Sequence, residues 1–409
     1  MSWPKLPLDQ LGYVSRGRSR HRPRNDPTLY GGPYPFIQTG DVKHANFRIT
    51  EHTATYSEAG LAQSRLWPKD TLCITIAANI ADTALLGYEA CFPDSVIGFV
   101  ADKEKADPRF VKYYFDIIQR ELQMVSQGAT QDNLSQEKLL SFGIACPPID
   151  VQRQVAEVLS AYDDLIATNQ RRIALLEDAA RRLYREWFVH LRFPGHESVP
   201  VKDGVPEGWL QGSAHDFISI LSGGTPKTGV EHYWGGDIPF FTPKDSPDAF
   251  YVLGTEKTLT ESGLASCNSR LFAKNTTFIT ARGTVGKVAL AQKPMAMNQS
   301  CYALAPKQDY DNLFLFAAIK DAVEHFKQVA VGGVFDAIVV DAFKVIPFVL
   351  PDAVVTRAFG NAVRPLFQQV ETLLLQNSQL AQARDLLLPK LMSGQLDVSG
   401  IALPDEVAA

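Results

Sequence analysis

Five arginines, Arg16, Arg18, Arg20, Arg22 and Arg24, alternate with Gly17, Ser19, His21 and Pro23. Five guanidinium groups within nine residues can neutralise several phosphates, and each can also meet a guanine edge through two hydrogen bonds. A solvated basic loop without a ligand is the competing reading. Gln38-Thr39-Gly40-Asp41-Val42-Lys43 carries amide, hydroxyl and ammonium groups that read base edges. Ordinary turn chemistry would use the same residues. Further along, Ser222-Gly223-Gly224-Thr225-Pro226-Lys227-Thr228 offers Thr225 and Lys227, with Lys244 and Lys287 nearby.

The same stretches fail as catalytic motifs. Arg282-Gly283-Thr284-Val285-Gly286-Lys287 is too short for a phosphate-binding loop, and Val288 stands where Ser or Thr is required. Gly223 to Thr228 fails the same spacing. There is no G-x-S-x-G, no dinucleotide fingerprint and no Asn/Asp-Pro-Pro-aromatic signature of adenine methylation. Pro93-Asp94, Pro247-Asp248 and Pro351-Asp352 lack the acidic-x-Lys of a common nuclease motif. The eight histidines form no metal-ligand spacing. The expectation is a non-catalytic chain with no metal or cofactor of its own.

These residues need a scaffold, and the composition supplies one. The 409 residues are 45% apolar, 21% charged and 10% aromatic, ordinary values for two or three globular domains. The net charge of −5 excludes a broadly basic nucleic-acid binder but not a local patch, because charge acts within about 8–10 Å in physiological salt. Scattered cysteines (Cys73, Cys91, Cys146, Cys267, Cys301), no signal-peptide pattern and no membrane-length apolar run lead to the expectation of a cytoplasmic protein with free thiols.

An internal repeat sets the organisation. Pro35-Phe36-Ile37 returns as Pro239-Phe240-Phe241 and Pro147 as Pro351, both at an offset of 204. Gly128 and Asp132 match Gly332 and Asp336 at the same offset. Leu66-Trp67-Pro68-Lys69 returns as Leu271-Phe272-Ala273-Lys274, at 205. Each copy reads as a strand-rich part with a buried strand (71–77, 276–281), a helix (110–125, 313–329), and a long segment (151–191, 354–393). In the first long segment Val155, Leu159, Tyr162, Ile166, Asn169, Ile173, Leu176, Ala180, Leu183 and Trp187 follow an unbroken 4,3 spacing. The second gives Phe359, Val363, Leu366, Val370, Leu373, Asn377, Leu380, Arg384, Leu387 and Leu391. Facing Asn169 with Asn377 in an antiparallel pair makes every layer sum to 546. Val155 then meets Leu391, Trp187 meets Phe359, and Arg384 faces Tyr162. Asn169, Asn377 and Arg384 are the expected register residues. The alternative is that each helix packs on its own globular part.

The chain resembles the specificity subunit of type I restriction–modification systems. The likeness rests on 221–225, His232-Tyr233-Trp234-Gly235-Gly236-Asp237-Ile238-Pro239, Arg282-Gly283-Thr284-Val285-Gly286, Pro147-Pro148-Ile149 with Gln152-Arg153, 183–188, and 386–394. It covers essentially the whole chain. The resemblance implies an α+β fold: two tandem mixed α/β target-recognition domains alternating with two long helices that pair as an antiparallel coiled coil. The corresponding division is 1–150, 151–195, 196–352, 353–396 and a tail over 397–409. It further implies that each domain reads half of a split target in double-stranded DNA, and that the helices set the gap. A helix rising roughly 50 Å would let both heads reach one face of a duplex whose turn is about 34 Å. By the same resemblance two modification (methyltransferase) subunits and restriction (ATP-dependent translocase/nuclease) subunits dock on the chain. S-adenosylmethionine, ATP and Mg belong to those partners, and no membrane is involved. Arg282 joins the expected DNA contacts through its motif. The first copy has Ala77-Ala78-Asn79-Ile80 there, so no contact carries over and the two half-sites should differ. A stand-alone DNA methyltransferase or nuclease, and a coiled-coil scaffold without a DNA role, are the rival readings.

Overall fold

The computed structural model describes residues 3–127, 134–329 and 340–398. Gly128, Asp132, Gly332 and Asp336, and residues 399–409 of the tail, lie outside the described residues.

Short apolar runs separated by Gly, Pro and Asn make strands too short to be stable alone, so they pair across long sequence distances. In the first copy β1 (Gly12–Arg16), β2 (Arg48–Ile49), β3 (Leu72–Thr75), β4 (Thr83–Leu86) and β5 (Val96–Ala101) form one sheet in the order β1-β5-β3-β4-β2. The second copy has β6 (Ile218–Ser222), β7 (Tyr251–Val252), β8 (Thr277–Thr280), β9 (Val288–Ala291) and β10 (Cys301–Pro306), ordered β6-β10-β8-β9-β7. The orders are identical, as the repeat requires. The expected buried strands are β3 and β8, every residue of which is buried. Helix α1 (Pro108–Gln127) starts just after Asp107, with proline at its first position, and runs two residues beyond the expected 110–125 at each end. Helices α2 (Ile149–Tyr184), α3 (Asn312–Val329) and α4 (Ala353–Met392) complete the frame.

The chain divides into two compact units, 1–167 with 379–409, and 168–378. Each takes one five-stranded sheet and one half of both long helices.

In the first unit Val155 and Leu159 of α2 share a core with Leu391 and Met392 of α4 and with Leu72, Phe99 and Phe110 of the head. In the second, Ile173 and Ala180 pack with Phe359, Val363, Val370 and Leu373, and with Phe250 and Phe316 of the head. The Trp187 and Phe359 rings meet edge to face at 5.8 Å. Asn169 Nδ2 donates to Asn377 Oδ1 at 2.9 Å. Within each unit the antiparallel register is therefore the one in which layers sum to 546. The two competing packings are both realised: the helices meet each other and their head together.

One expected contact is different. Arg384 meets Asp163, not Tyr162, and also Asp385. Asp163 is buried and its Oδ2 accepts from Tyr113 Oη at 2.5 Å, tying helix α1 into the layer. A guanidinium leaving water needs an anion more than a ring face, and the carboxylate one position along supplies it. Burial and the Asp163 charge both push the Tyr113 phenol well above its ordinary range.

Helix α4 approaches its head closely at Gly360. A Cβ there would lie 2.3 Å from the Asp311 carboxylate, which accepts from Arg364 at 2.9 Å. Glu177 of α2 turns into the second head, where its Oε1 accepts from the Phe250 backbone N–H at 2.7 Å. Desolvation pushes its carboxyl up to about 7, while that hydrogen bond and Lys320 oppose the rise.

Asn377→Leu takes from Asn169 Nδ2 its acceptor, and destabilisation of about 1–3 kcal/mol is expected. Adding Asn169→Leu should recover most of the loss, as read by denaturant midpoints in a double-mutant cycle; additive losses would refute the pairing. Glu177 keeps its proton in the folded chain at pH values where the unfolded chain has released it, so stability falls as pH rises from about 4.5 to 7. Glu177→Gln should therefore be more stable than the parent at pH 8, by about 1–3 kcal/mol, and equal to it at pH 4. An unchanged difference between those pH values counts against the assignment.

Candidate nucleic-acid interface

The arginine segment begins on Arg16, the last residue of strand β1, and is held by its backbone. Gly17 N donates to Val96 O at 2.9 Å and Arg18 N to Phe92 O at 3.1 Å. A Cβ on Gly17 would sit 2.2 Å from the Phe92 carbonyl, so glycine is what lets the strand come this close. Gln63 Oε1 accepts from Arg20 N at 2.6 Å and His21 N at 3.0 Å, and Ser64 Oγ donates to Arg18 O at 2.8 Å. The segment is thus a braced display, with all five arginines exposed.

Their engagements differ. Arg22 Nη1 donates to Ser19 O at 2.7 Å and His21 O at 2.8 Å, bracing its own loop. Arg24 Nη2 donates to both oxygens of Asp94, at 3.0 and 2.9 Å. The guanidinium groups of Arg16, Arg18 and Arg20 have no acidic partner among the described residues. The strip therefore offers three open cations, one structural arginine, and one arginine in an exposed ion pair of about 0–1 kcal/mol.

Gln38 and Thr39 sit at the start of the short helix Thr39–His44. Gln38 N donates to Asp41 Oδ2 at 2.7 Å and its side chain is exposed. Lys43 Nζ donates to Asn79 Oδ1 at 3.3 Å, in the loop after β3. Burial pushes the nearby Asp82 carboxyl up, and Lys43 opposes the rise. In the second copy the charges at this place are exchanged, with Lys287 Nζ 2.9 Å from Asp248 Oδ1. Lys287 is thus engaged in an ion pair.

The second head carries a cleft of about 480 Å³. It brings together Thr225, Lys244 and Arg282 of the expected residues, and leaves Lys227 and Lys287 outside its lining. Thr225 Oγ1 donates to Gln299 Oε1. Among the lining residues that sequence reasoning missed are Trp234, Lys257, Asn298 and Gln299, together with the acidic Glu256. Lys257 Nζ stands 5.5 Å from the Trp234 ring centroid. Trp234 lay within a motif quoted above, and the Asn298-Gln299 pair directly follows the buried strand Ala296–Met297. Three cations, two amides and an indole around one cleft are the groups that hold phosphates and discriminate base edges.

The loops carrying Arg282 and its first-copy counterpart have one backbone shape. Thr280 Oγ1 donates to Thr284 O, and Thr75 Oγ1 to Asn79 O. Gly283 and Gly286 take positive φ of 82° and 75°, and Ala78 and Ala81 take 63° each. The first copy keeps the turn and lacks the cation.

The family described as the type I restriction modification DNA specificity domain matches residues 2–178 and 206–355. The HindI specificity subunit of Haemophilus influenzae is 21% identical over 94% of this chain and 98% of its own. The MjaIX specificity subunit of Methanocaldococcus jannaschii is 33% identical over 32% of this chain and 31% of its own. The crystal structure of the type I restriction–modification S subunit from M. genitalium shares the fold, with a TM-score of 0.60, 16% identity, and coverage of 95% of this chain and 96% of that one. With both repeats matched, the chain belongs to the type I restriction modification DNA specificity family.

Proposed function

We propose that this DNA-recognition subunit reads a bipartite, asymmetric target in double-stranded DNA, one half per head, and carries no chemistry of its own. The observation that carries this reading is that two heads with one sheet order present different polar surfaces. The first presents the braced arginine strip, and the second the Lys244, Lys257, Arg282 and Trp234 cleft. Phosphate contacts from the open arginines position the duplex, and the amides and Arg282 select bases. Modification subunits with S-adenosylmethionine, and restriction subunits with ATP and Mg, supply methylation and cleavage in the cytoplasm.

Arg22 braces its loop, so the clean test of the strip replaces Arg18 and Arg20. In the complex with the modification subunit, Arg18→Ala with Arg20→Ala should weaken all duplexes alike and lower the slope of log K against log salt by about 2. An unchanged slope sinks the role of the strip. Arg282→Ala with Asn298→Ala should instead relax one half of the methylated sequence, by about 1–3 kcal/mol per lost base contact. Genome-wide mapping of methylated adenines reads this directly. Degeneracy in both halves, or in neither, would contradict the assignment.

A further inference from the structure

A second cleft, also about 480 Å³, lies in the first unit. Arg48, Lys69, Lys103, Arg109 and Arg153 line it, against Asp70 and Asp107. Arg48 is paired with Asp70 at 2.5 Å, and Arg109 with Asp107 at 3.0 Å and Glu157 at 2.8 Å. Arg153 donates to the Lys103 carbonyl at 3.0 Å and lies 3.5 Å from Asp150. Lys69 and Lys103 are exposed, and their ammonium groups have no acidic partner among the described residues.

The internal repeat shows what this place lacks. In the second copy the counterpart of Lys69 is Lys274, whose Nζ is 2.6 Å from Glu371 Oε1 on helix α4. Gln292 Nε2 donates to the same oxygen at 2.8 Å. Arg364–Asp311 at 2.9 Å and Arg357–Asp309 at 2.8 Å close the rest of that surface. An offset of 204 puts Ala167 at the place of Glu371, Ser160 at Arg364 and Lys105 at Asp309. Asp311 is kept as Asp107, which holds Arg109, so the carboxylate that the first copy lacks opposite Lys69 is that of Glu371.

Position separates this cleft from DNA reading. Lys69 and Asp70 precede β3, whereas the Ala77–Ile80 loop follows it. Lys103 follows β5, whereas Asp94, which holds Arg24, precedes it. The cleft and the arginine strip are at opposite ends of the same strands.

We infer that this cleft docks a carboxylate-bearing segment of a partner protein, whose acidic side chains take on Lys69 and Lys103 the place that Glu371 takes on Lys274. The inference rests on the reading of the chain as one subunit of a complex. That reading is judged separately, by whether the chain co-purifies with a modification subunit.

The test uses the full chain and a fluorescein-labelled octaglutamate peptide at low salt, followed by anisotropy. Lys69→Glu with Lys103→Glu should weaken peptide binding at least about tenfold, and Lys69→Arg with Lys103→Arg should preserve it. The same charge change at two exposed lysines elsewhere, Lys202→Glu with Lys293→Glu, should alter it less than about twofold. If the double reversal fails to fold, Lys69→Gln with Lys103→Gln carries the same expectation. Equal loss in the control, no loss in the reversal, or competition of a duplex with the peptide for this cleft would overturn the inference. Co-purification with a modification subunit alongside any of those results would leave the subunit reading standing and this docking site refuted.

Discussion

The hydrogen bond between Asn169 and Asn377 is the constraint on which the rest depends. Asn169 is only 2% exposed, so a slipped helix would leave its amide with neither partner nor water, a loss of about 1–3 kcal/mol. Apolar layers alone tolerate a shift by one heptad, since leucine meets leucine again. In the first unit the buried Asp163 carboxylate repeats the restriction with higher stakes. It is satisfied by Arg384 and Tyr113 together, and leaving such a buried charge unpaired costs about 3–5 kcal/mol. Two polar layers of different chemistry admit one register.

The heads show the complementary strategy, constant backbone and variable display. The turn after β3 and the turn after β8 are bracketed by the same threonine hydroxyl contacts, yet only the second carries an arginine. Ala78 and Ala81 hold left-handed conformations where Gly283 and Gly286 sit, at about 1–2 kcal/mol per residue. The tertiary frame evidently dictates the turn, and side chains are exchanged on it. A fold of this kind changes what it reads without changing how it is held.

Much of this was legible in the sequence for a definite reason. Helix pairing depends on period, and period is local, so Asn169–Asn377, Val155 with Leu391 and Trp187 with Phe359 could be counted out. Arg384 shows the limit of counting. Its partner lies one position off the seam, on the side where the head contributes Tyr113, and a layer count carries no head. The cleft shows a second limit. Trp234, Lys257, Arg282 and Asn298 come from four separate segments, and only the sheet order brings them together. Arg24 and Lys287 were expected among the DNA contacts on charge alone. Their acidic partners, Asp94 and Asp248, lie 70 and 39 residues away in sequence, beyond the reach of any local pattern.

Those partnerships bear on how an acidic chain handles DNA. Residues 1–150 hold 16 basic side chains against 17 acidic ones, so the first head has no general attraction for a polyanion. In the proposed reading, attraction at the strip comes from Arg16, Arg18 and Arg20, within a screening length of about 8 Å at physiological salt. Arg24 sits behind an internal competitor. A phosphate must displace Asp94 before Arg24 can engage, and an exposed pair yields for about 1 kcal/mol or less. That cost is small where a matched sequence holds the duplex in place, and it weighs most on a weak encounter with an unmatched one. In the proposed reading, partial self-neutralisation lowers non-specific binding more than specific binding, and the acidity of the chain works for selectivity.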